Sequence, residues 1–160
     1  MDALCHAVEC YTSKKANPFS DIFALEALDL IINHIEQACD NPEAIEDKNA
    51  MLMAAFYAGI AITASGTTAV HALSYPLGGK YHIPHGVSNA ILLIPVMRFN
   101  EPFCQERLAS AYDRVARKYG EIKTTREKSE WMISRMEEIV RHLEIPTSLK
   151  MYGIDRQDLN

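Results

Sequence analysis

The residues most able to do chemistry lie near the start of the sequence and around a double glycine in its middle. Asp2 and His6 are four residues apart on a predicted helix, so their side chains project from one face. His71 and His85 flank the double glycine, where a turn would fold both imidazoles towards a common site. One carboxylate and three imidazoles suit a divalent metal such as Fe(II), Zn(II) or Ni(II) and leave positions open for a substrate.

Spacing alone leaves alternatives open for each of these histidines. Asp2 and His6 also have the spacing of an ordinary charge pair on a helix surface. His82 lies just beyond the glycines and competes as a ligand, although a loop histidine facing solvent is the favoured interpretation. His34 and His142 stand alone on predicted helices, and we interpret both as surface or structural residues.

The elements that must position these residues are predicted to be helices. Apolar residues recur at helical spacing, and no stretch alternates as a strand would, which predicts an all-α helical bundle. The run from Met51 to Ala64 is apolar on every side, so we expect its helix at the centre of the bundle. Pro76, Gly78 and Gly79 are expected to break regular structure. The predicted helices cover Asp2 to about Ser13, Ser20 to Asp40, Glu43 to Ala64, His85 to Met97, Phe103 to Tyr119, Arg126 to Leu143, and a last short helix from Asp155.

Length, charge and cysteine content restrict the class of protein. A chain of 160 residues is expected to form one domain. The net charge of −5, without a block of basic residues, argues against a nucleic-acid partner. The four cysteines form no CxxC pair and follow no secretory segment, which favours reduced thiols and a cytoplasmic location. The longest apolar run is shorter than the roughly 20 residues of a membrane-spanning helix, so no membrane segment is expected.

Three segments carry a resemblance to a known family: MDALCHAVE, AGIAITASGTTAVHALSYPLGG and HIPHGVSNAILLIPVMRFN. In order and spacing they closely resemble the metal-binding domain of the iron-containing alcohol dehydrogenases, densely over residues 1–100 and more thinly beyond. The resemblance implies the C-terminal helical domain of a dehydroquinate synthase-like, two-domain enzyme, facing a nucleotide-binding α/β domain across a cleft. Residues 1–160 are then a single helical metal-binding domain, and both chain ends look cut.

The resemblance implies a ligand set of Asp2, His6, His71 and His85, each of the residue type that the family uses. His82 is not among them. The implied metal is Fe(II), with Zn(II) as the alternative, because zinc often binds similar nitrogen and oxygen ligands more tightly.

The resemblance also implies roles for residues that bind no metal. Many members carry a histidine, thought to help proton movement near the nicotinamide, where this chain has Tyr75. A tyrosine keeps a hydroxyl for hydrogen bonding, but its reference pKa of about 10 makes it a poorer base near neutrality. The Ser-Tyr-Pro variant resembles the hydroxyacid-oxoacid transhydrogenase branch of the superfamily. Ile62 and Leu73 are predicted to line an apolar substrate pocket, with a place in the bundle core as the alternative.

The implied reaction interconverts an alcohol and an aldehyde or ketone with NAD or NADP in the intact enzyme. The sequence contains no glycine-rich strand-to-helix turn for a pyrophosphate, so no residue of this chain is predicted to bind the nicotinamide cofactor. The chain alone is expected not to be competent. Its expected partners are a small alcohol or aldehyde and the missing nucleotide-binding domain. The alternative function is an inactive truncated module that acts only in protein association, and uncovered apolar faces predict self-association.

Overall fold

A computed structural model describes residues 1–117, 119–120 and 122–159 and confirms the all-α class for them. Over these residues the chain forms six α-helices and two short 3-10 helices. The elements are α1 (Asp2–Thr12), α2 (Pro18–Asp40), α3 (Ile45–Ser65), α4 (Ala69–Tyr81), α5 (His85–Val115), α6 (Thr125–His142) and the 3-10 helices Leu149–Tyr152 and Arg156–Leu159.

The first helix lies at the centre of the bundle. α1 packs against α2, α3, α4 and α5, and every residue from Leu4 to Tyr11 except His6 is buried. Helix α2 begins with a reciprocal cap, in which the Asn17 side chain accepts from the backbone of Ser20 and the Ser20 hydroxyl accepts from the backbone of Asn17. The core therefore surrounds the helix that carries Asp2 and His6.

Helix α3 lies at the edge of the bundle, so its predicted central position is wrong. It buries only a narrow stripe of small residues, Ala54, Ala58, Ala61 and Ser65. Small side chains let two helices approach closely, and the larger apolar residues are left on the opposite face. Leu52 and Phe56 on that face are 71% and 62% exposed.

The predicted break at Pro76, Gly78 and Gly79 is also wrong, because α4 continues through all three residues to Tyr81. Pro76 is exposed, and it removes one backbone donor from the helix without ending it. Neither glycine has a positive φ, so both take the helical conformation. The chain reverses later, at His82, whose φ of 55° ends α4 in the left-handed region.

The remaining differences from prediction concern helix ends. Two predicted helices are one, α5, which is kinked at Cys104, where φ is −133° and ψ is 20°. The prediction extends this stretch to Tyr119, whereas α5 ends at Val115. Lys118, within the predicted range, lies outside the described residues. The predicted last helix is a 3-10 turn, Arg156–Leu159, and Asn160 lies outside the described residues.

No single helix in the described part of the chain is long and apolar enough to cross a membrane. Helices α3 and α4 meet the length and composition test only when taken together, and they are bent by 105° relative to each other.

Candidate metal centre

Helix α1 presents Asp2 and His6 on one face, one turn apart. Asp2 occupies the first turn of the helix, where the N-terminal dipole favours a carboxylate. The His6 Nε2 lies 3.8 Å from the Asp2 Oδ2. The i, i+4 spacing therefore brings the two side chains together, as the sequence predicts.

Helices α4 and α5 bring the other two predicted ligands to the same place. His71 lies in the first turn of α4, and His85 is the first residue of α5, directly after the reversal at residues 82–84. The His71 Nε2 lies 3.5 Å from the Asp2 Oδ1, and the His85 Nε2 lies 3.6 Å from the same oxygen. The reversal that brings His71 and His85 together therefore lies at residues 82–84 and not at the predicted double-glycine turn, and His82 itself is exposed.

The four side chains form a site that is closed on one side and open on the other. The His71 side chain is 3% exposed, and its ring stacks on His6 with centroids 4.5 Å apart. The Asp2 and His85 side chains are 39% and 47% exposed. Ligand atoms of Asp2, His6 and His71 all lie within 4.8 Å of one another. His85 lies outside that group, at the exposed edge, where its Nε2 is 3.6 Å from the Asp2 Oδ1. The open edge is where a small molecule would enter.

Asn89 lies at the point on which these side chains converge, although sequence analysis assigns it no role. Its Nδ2 donates to the Asp2 Oδ1 at 2.6 Å and lies 3.1 Å from the Nε2 atoms of both His71 and His85. Its Oδ1 is buried and makes no hydrogen bond within the described residues. The Asp2 Oδ1 and the Nε2 atoms of His71 and His85, each from a different helix, therefore surround the Asn89 Nδ2. The i, i+4 spacing from His85 is the sequence signal that could have found Asn89.

Glu9 is a second residue that sequence analysis assigns no role. It is buried, and its Oε1 accepts from the Thr68 backbone at 3.0 Å, the Thr68 hydroxyl at 2.7 Å and the Val70 backbone at 2.8 Å. Its Oε2 is hydrogen-bonded to the Nδ1 of His71. Glu9 lies three residues after His6 on α1, on the same helix face, and that spacing is the signal that could have found it.

The charges of the site follow from these contacts. The hydrogen bond with His71 and the charge of His6 hold the pKa of Asp2 well below its usual range, against the effect of burial. Burial lowers the pKa of His71, but hydrogen bonds to Asp2 and Glu9 outweigh it and raise that pKa to about 9. Burial lowers the pKa of His6, although Asp2 opposes the shift. The site is therefore anionic at its carboxylates, and His6 is held in its neutral form, which can ligate a metal.

The three other predicted site residues occupy different surroundings. The Tyr75 ring stacks on His85 with centroids 6.0 Å apart, and the residue is 63% exposed, so it borders the open edge. Leu73 is exposed and lines a groove of about 420 Å³ with Pro76 and Leu92, a groove that contains none of the four predicted ligands. Ile62 is partly buried and packs against the main core. Of these three residues, Tyr75 is the one with a ring contact to a predicted ligand.

Comparison with known proteins assigns the family. The model of the Fe-containing alcohol dehydrogenase family, C-terminal, matches residues 1–160. This chain belongs to the iron-containing alcohol dehydrogenase family. The long-chain-alcohol dehydrogenase 1 of Geobacillus thermodenitrificans is 36% identical over 159 residues, and the NAD-dependent methanol dehydrogenase of Bacillus methanolicus is 33% identical over 159 residues. Each comparison covers 99% of this chain but only 40% and 42% of the relative, so the chain spans about two-fifths of their length.

A solved structure of a 1,3-propanediol oxidoreductase extends the agreement to three dimensions. Its TM-score is 0.92 at 34% identity, and the comparison covers 99% of this chain and 41% of that one. The fold of this chain is therefore that of the C-terminal helical domain of its family.

The four predicted ligands of this chain fit a divalent metal. One carboxylate and three imidazoles are nitrogen and oxygen donors of the kind that Fe(II) and Zn(II) accept. The convergence of Asp2, His71 and His85 on Asn89 Nδ2, together with the unpaired Asn89 Oδ1, shows a polar site whose hydrogen bonding is incomplete within the described chain.

Proposed function

We propose that this chain is the metal-binding catalytic part of an iron-dependent alcohol dehydrogenase, which interconverts an alcohol and an aldehyde or ketone with NAD or NADP in the intact enzyme. The observation that carries the proposal is the convergence of Asp2, His6, His71 and His85 from three helices at a site open on one side. The family of the chain supports the reaction type.

Asp2, His6, His71 and His85 would hold Fe(II), or Zn(II) in its place. Bound there, the metal would act as a Lewis acid that polarises the substrate oxygen while hydride passes between the substrate carbon and the nicotinamide. Asp2 supplies the negative charge that attracts the cation. The buried His71 and the exposed His85 place the site at a boundary, where protein excludes water on one side and admits the substrate on the other.

Tyr75 is the residue that we assign to proton movement. Its ring stacks on His85 at the open edge and the residue is exposed, so its hydroxyl is the group that we assign to hydrogen bonding with the substrate oxygen. Leu73, which is exposed, and Ile62 are the apolar residues that we assign to the substrate pocket. The nicotinamide site is assigned to the remaining three-fifths of an intact enzyme. The four free cysteines support a cytoplasmic location.

The test joins this chain to the preceding portion of the Bacillus methanolicus relative and measures the appearance of reduced nicotinamide with a panel of small alcohols. We expect turnover that is lost on Asp2→Ala, together with the bound metal, and that falls while metal is retained on Tyr75→Phe. A metal-replete and fully active Asp2→Ala chimera would refute the ligand assignment. Clear turnover by the isolated chain would refute the assignment of the nicotinamide site.

A second candidate, an inactive module that acts through protein association, is favoured by the outer face of α3. Leu52, Met53 and Phe56 are all exposed on that face. In this candidate a second copy of the chain covers them, and metal binding has no catalytic consequence. The chimera distinguishes the two functions, because only the dehydrogenase proposal predicts turnover that depends on Asp2.

A further inference from the structure

Glu9 is a buried carboxylate whose two oxygens are hydrogen-bonded to groups at the start of α4. Within the described chain its Oε1 accepts three hydrogen bonds, two from the backbone at the start of α4 and one from the Thr68 hydroxyl. Its side chain is 1% exposed. With Oε1 occupied by donors from one side, Oε2 is left facing the Nδ1 of His71.

We infer that Glu9 is a positioning residue that fixes His71 in the tautomer able to bind a metal through Nε2. A carboxylate only accepts hydrogen bonds, so the proton between the two groups is carried by the His71 Nδ1. In neutral His71 the lone pair then belongs to Nε2, the atom that lies 3.5 Å from Asp2 Oδ1 and 3.1 Å from Asn89 Nδ2. The inference rests on the proposed metal site.

The same contacts couple the metal site to the start of α4. The Thr68 and Val70 backbone amides that bind Glu9 belong to the residues that begin the helix carrying His71. Glu9 therefore sets both the rotation of the imidazole and the position of the backbone that carries it. Partners of this kind around metal-bound histidines change metal affinity by about 10- to 100-fold when they are replaced.

Glu9→Gln reverses the direction of the hydrogen bond with His71 Nδ1 and leaves the size of the side chain nearly unchanged. The oxygen of the introduced glutamine can still accept from the backbone amides, which leaves its NH₂ group facing His71. An NH₂ group donates, so His71 would accept at Nδ1 and carry its proton on Nε2, where it blocks ligation. Glu36→Gln is the matched control, because it makes the same chemical change at a carboxylate bonded to Arg135 on another face of the bundle.

The experiment measures the zinc dissociation constant of the chain by competition with a chromophoric chelator, and the tautomer of His71 by nitrogen-15 NMR of the imidazole rings. We expect zinc binding to weaken about 10- to 100-fold in Glu9→Gln and to change less than about twofold in Glu36→Gln. We also expect the zinc-loaded wild-type chain to show a proton on His71 Nδ1. This second readout does not depend on the folding of any variant.

The outcomes separate the inference from the proposed function. A wild-type chain that binds zinc, with unchanged affinity in folded Glu9→Gln, would overturn the role of Glu9 and leave the metal site intact. Zinc bound through Nδ1 of His71 would overturn it equally. A folded wild-type chain that binds no zinc would refute the proposed metal site, and with it the positioning role that depends on that site.

Discussion

His71 is the residue on which the site depends most, because it is held from both ends of its ring. Its Nδ1 is bonded to Glu9 and its Nε2 faces Asp2 and Asn89. Two anionic partners around one buried imidazole favour its protonated form when no metal is bound. A metal at Nε2 must therefore displace a proton, and metal affinity is coupled to pH.

The metal-free chain is predicted to lose stability as the pH rises through the titration of His71. The pKa of His71 is about 9 in the folded chain against 6.5 for the unperturbed group, so its contribution is fully present below pH 6.5 and lost towards pH 9. Urea unfolding in the presence of a chelator should show the free energy of unfolding falling by about 3 kcal/mol over that interval.

His71→Gln should remove this decline, whereas His142→Gln, at an exposed histidine paired with Asp40, should retain it. An identical decline in His71→Gln and the wild-type chain would show that another group causes it.

The sequence predicted the part of the site that is local and missed the part that is not. The helical spacing of Asp2 and His6 could be predicted from the order of the residues alone, whereas the turn between His71 and His85 was predicted at the double glycine and lies beyond it, at His82. Asn89 and the contact of Glu9 with α4 could not, because hydrogen bonds between residues about 60 to 90 positions apart leave no trace in local spacing. The residues that orient the predicted ligands can therefore be identified only from the folded structure.

At the scale of elements, α4 shows why proline and glycine are unreliable markers of a helix end. Glycine and proline weaken a helix, but neither forbids it where the backbone is exposed or where helical φ is available. Amphipathic stretches such as α2 and α6 were predicted well, since one face is apolar and the other polar. Helix α3 was misplaced because its apolar residues surround it, and only packing decides which of them are buried.

Gly79→Ala is predicted to stabilise the chain by about 0.5 to 1 kcal/mol, because Gly79 has a helical backbone and an added Cβ would meet nothing within 4 Å. Gly66→Ala is the matched control. The space around it is equally open, but its φ of +71° is strained for alanine, so the free energy of unfolding should fall by about 1 kcal/mol. Thermal and urea unfolding measure the change in the free energy of unfolding for both variants. A change of the same sign at the two positions would contradict the helical conformation of Gly79 and the positive φ of Gly66.

Helices α2 and α6 are joined by a two-pronged ion pair between Glu36 and Arg135, with N–O distances of 2.9 and 2.7 Å. The hydrogen bond to Arg135 lowers the pKa of Glu36 against the effect of burial. A lowered carboxyl pKa contributes stability above the unfolded value of about 4.5, and this contribution is lost as the pH falls below it.

Glu36→Gln should therefore cost about 1 kcal/mol at neutral pH, with a difference from wild type that shrinks in acid. Urea unfolding at neutral pH and well below the unfolded carboxyl pKa of about 4.5 measures this. Glu43→Gln, at an exposed carboxylate, should change little at either pH, and a Glu36→Gln deficit that stays constant into acid would exclude the ion pair as its cause.

At the scale of the whole molecule, this chain is two-fifths of the length of its relatives and carries an apolar face that nothing in the described chain covers. Leu52 and Phe56 on α3 contribute most to that face. Exposed apolar patches of this kind mark contact with another protein surface. The face contains none of the four predicted ligands, so substitutions on it can test association without replacing a ligand.

The chain is predicted to self-associate through this face. Sedimentation velocity should show a mass that rises with protein concentration, and the double variant Leu52→Lys, Phe56→Lys should stay monomeric with unchanged metal content. Ile22→Lys is the control, because Ile22 is a similarly exposed apolar residue, on α2. A double variant that associates as strongly as wild type would place the contact elsewhere.

The central claim is that Asp2, His6, His71 and His85 hold one divalent metal. Elemental analysis after anaerobic loading with Fe(II) tests it most directly, on the wild-type chain, on the double variant His71→Ala, His85→Ala, and on the matched double variant His34→Ala, His142→Ala. We predict about one iron per chain in the wild type and in the matched control, and none in the site variant. Equal iron in both double variants, or none in the folded wild-type chain, would contradict the claim.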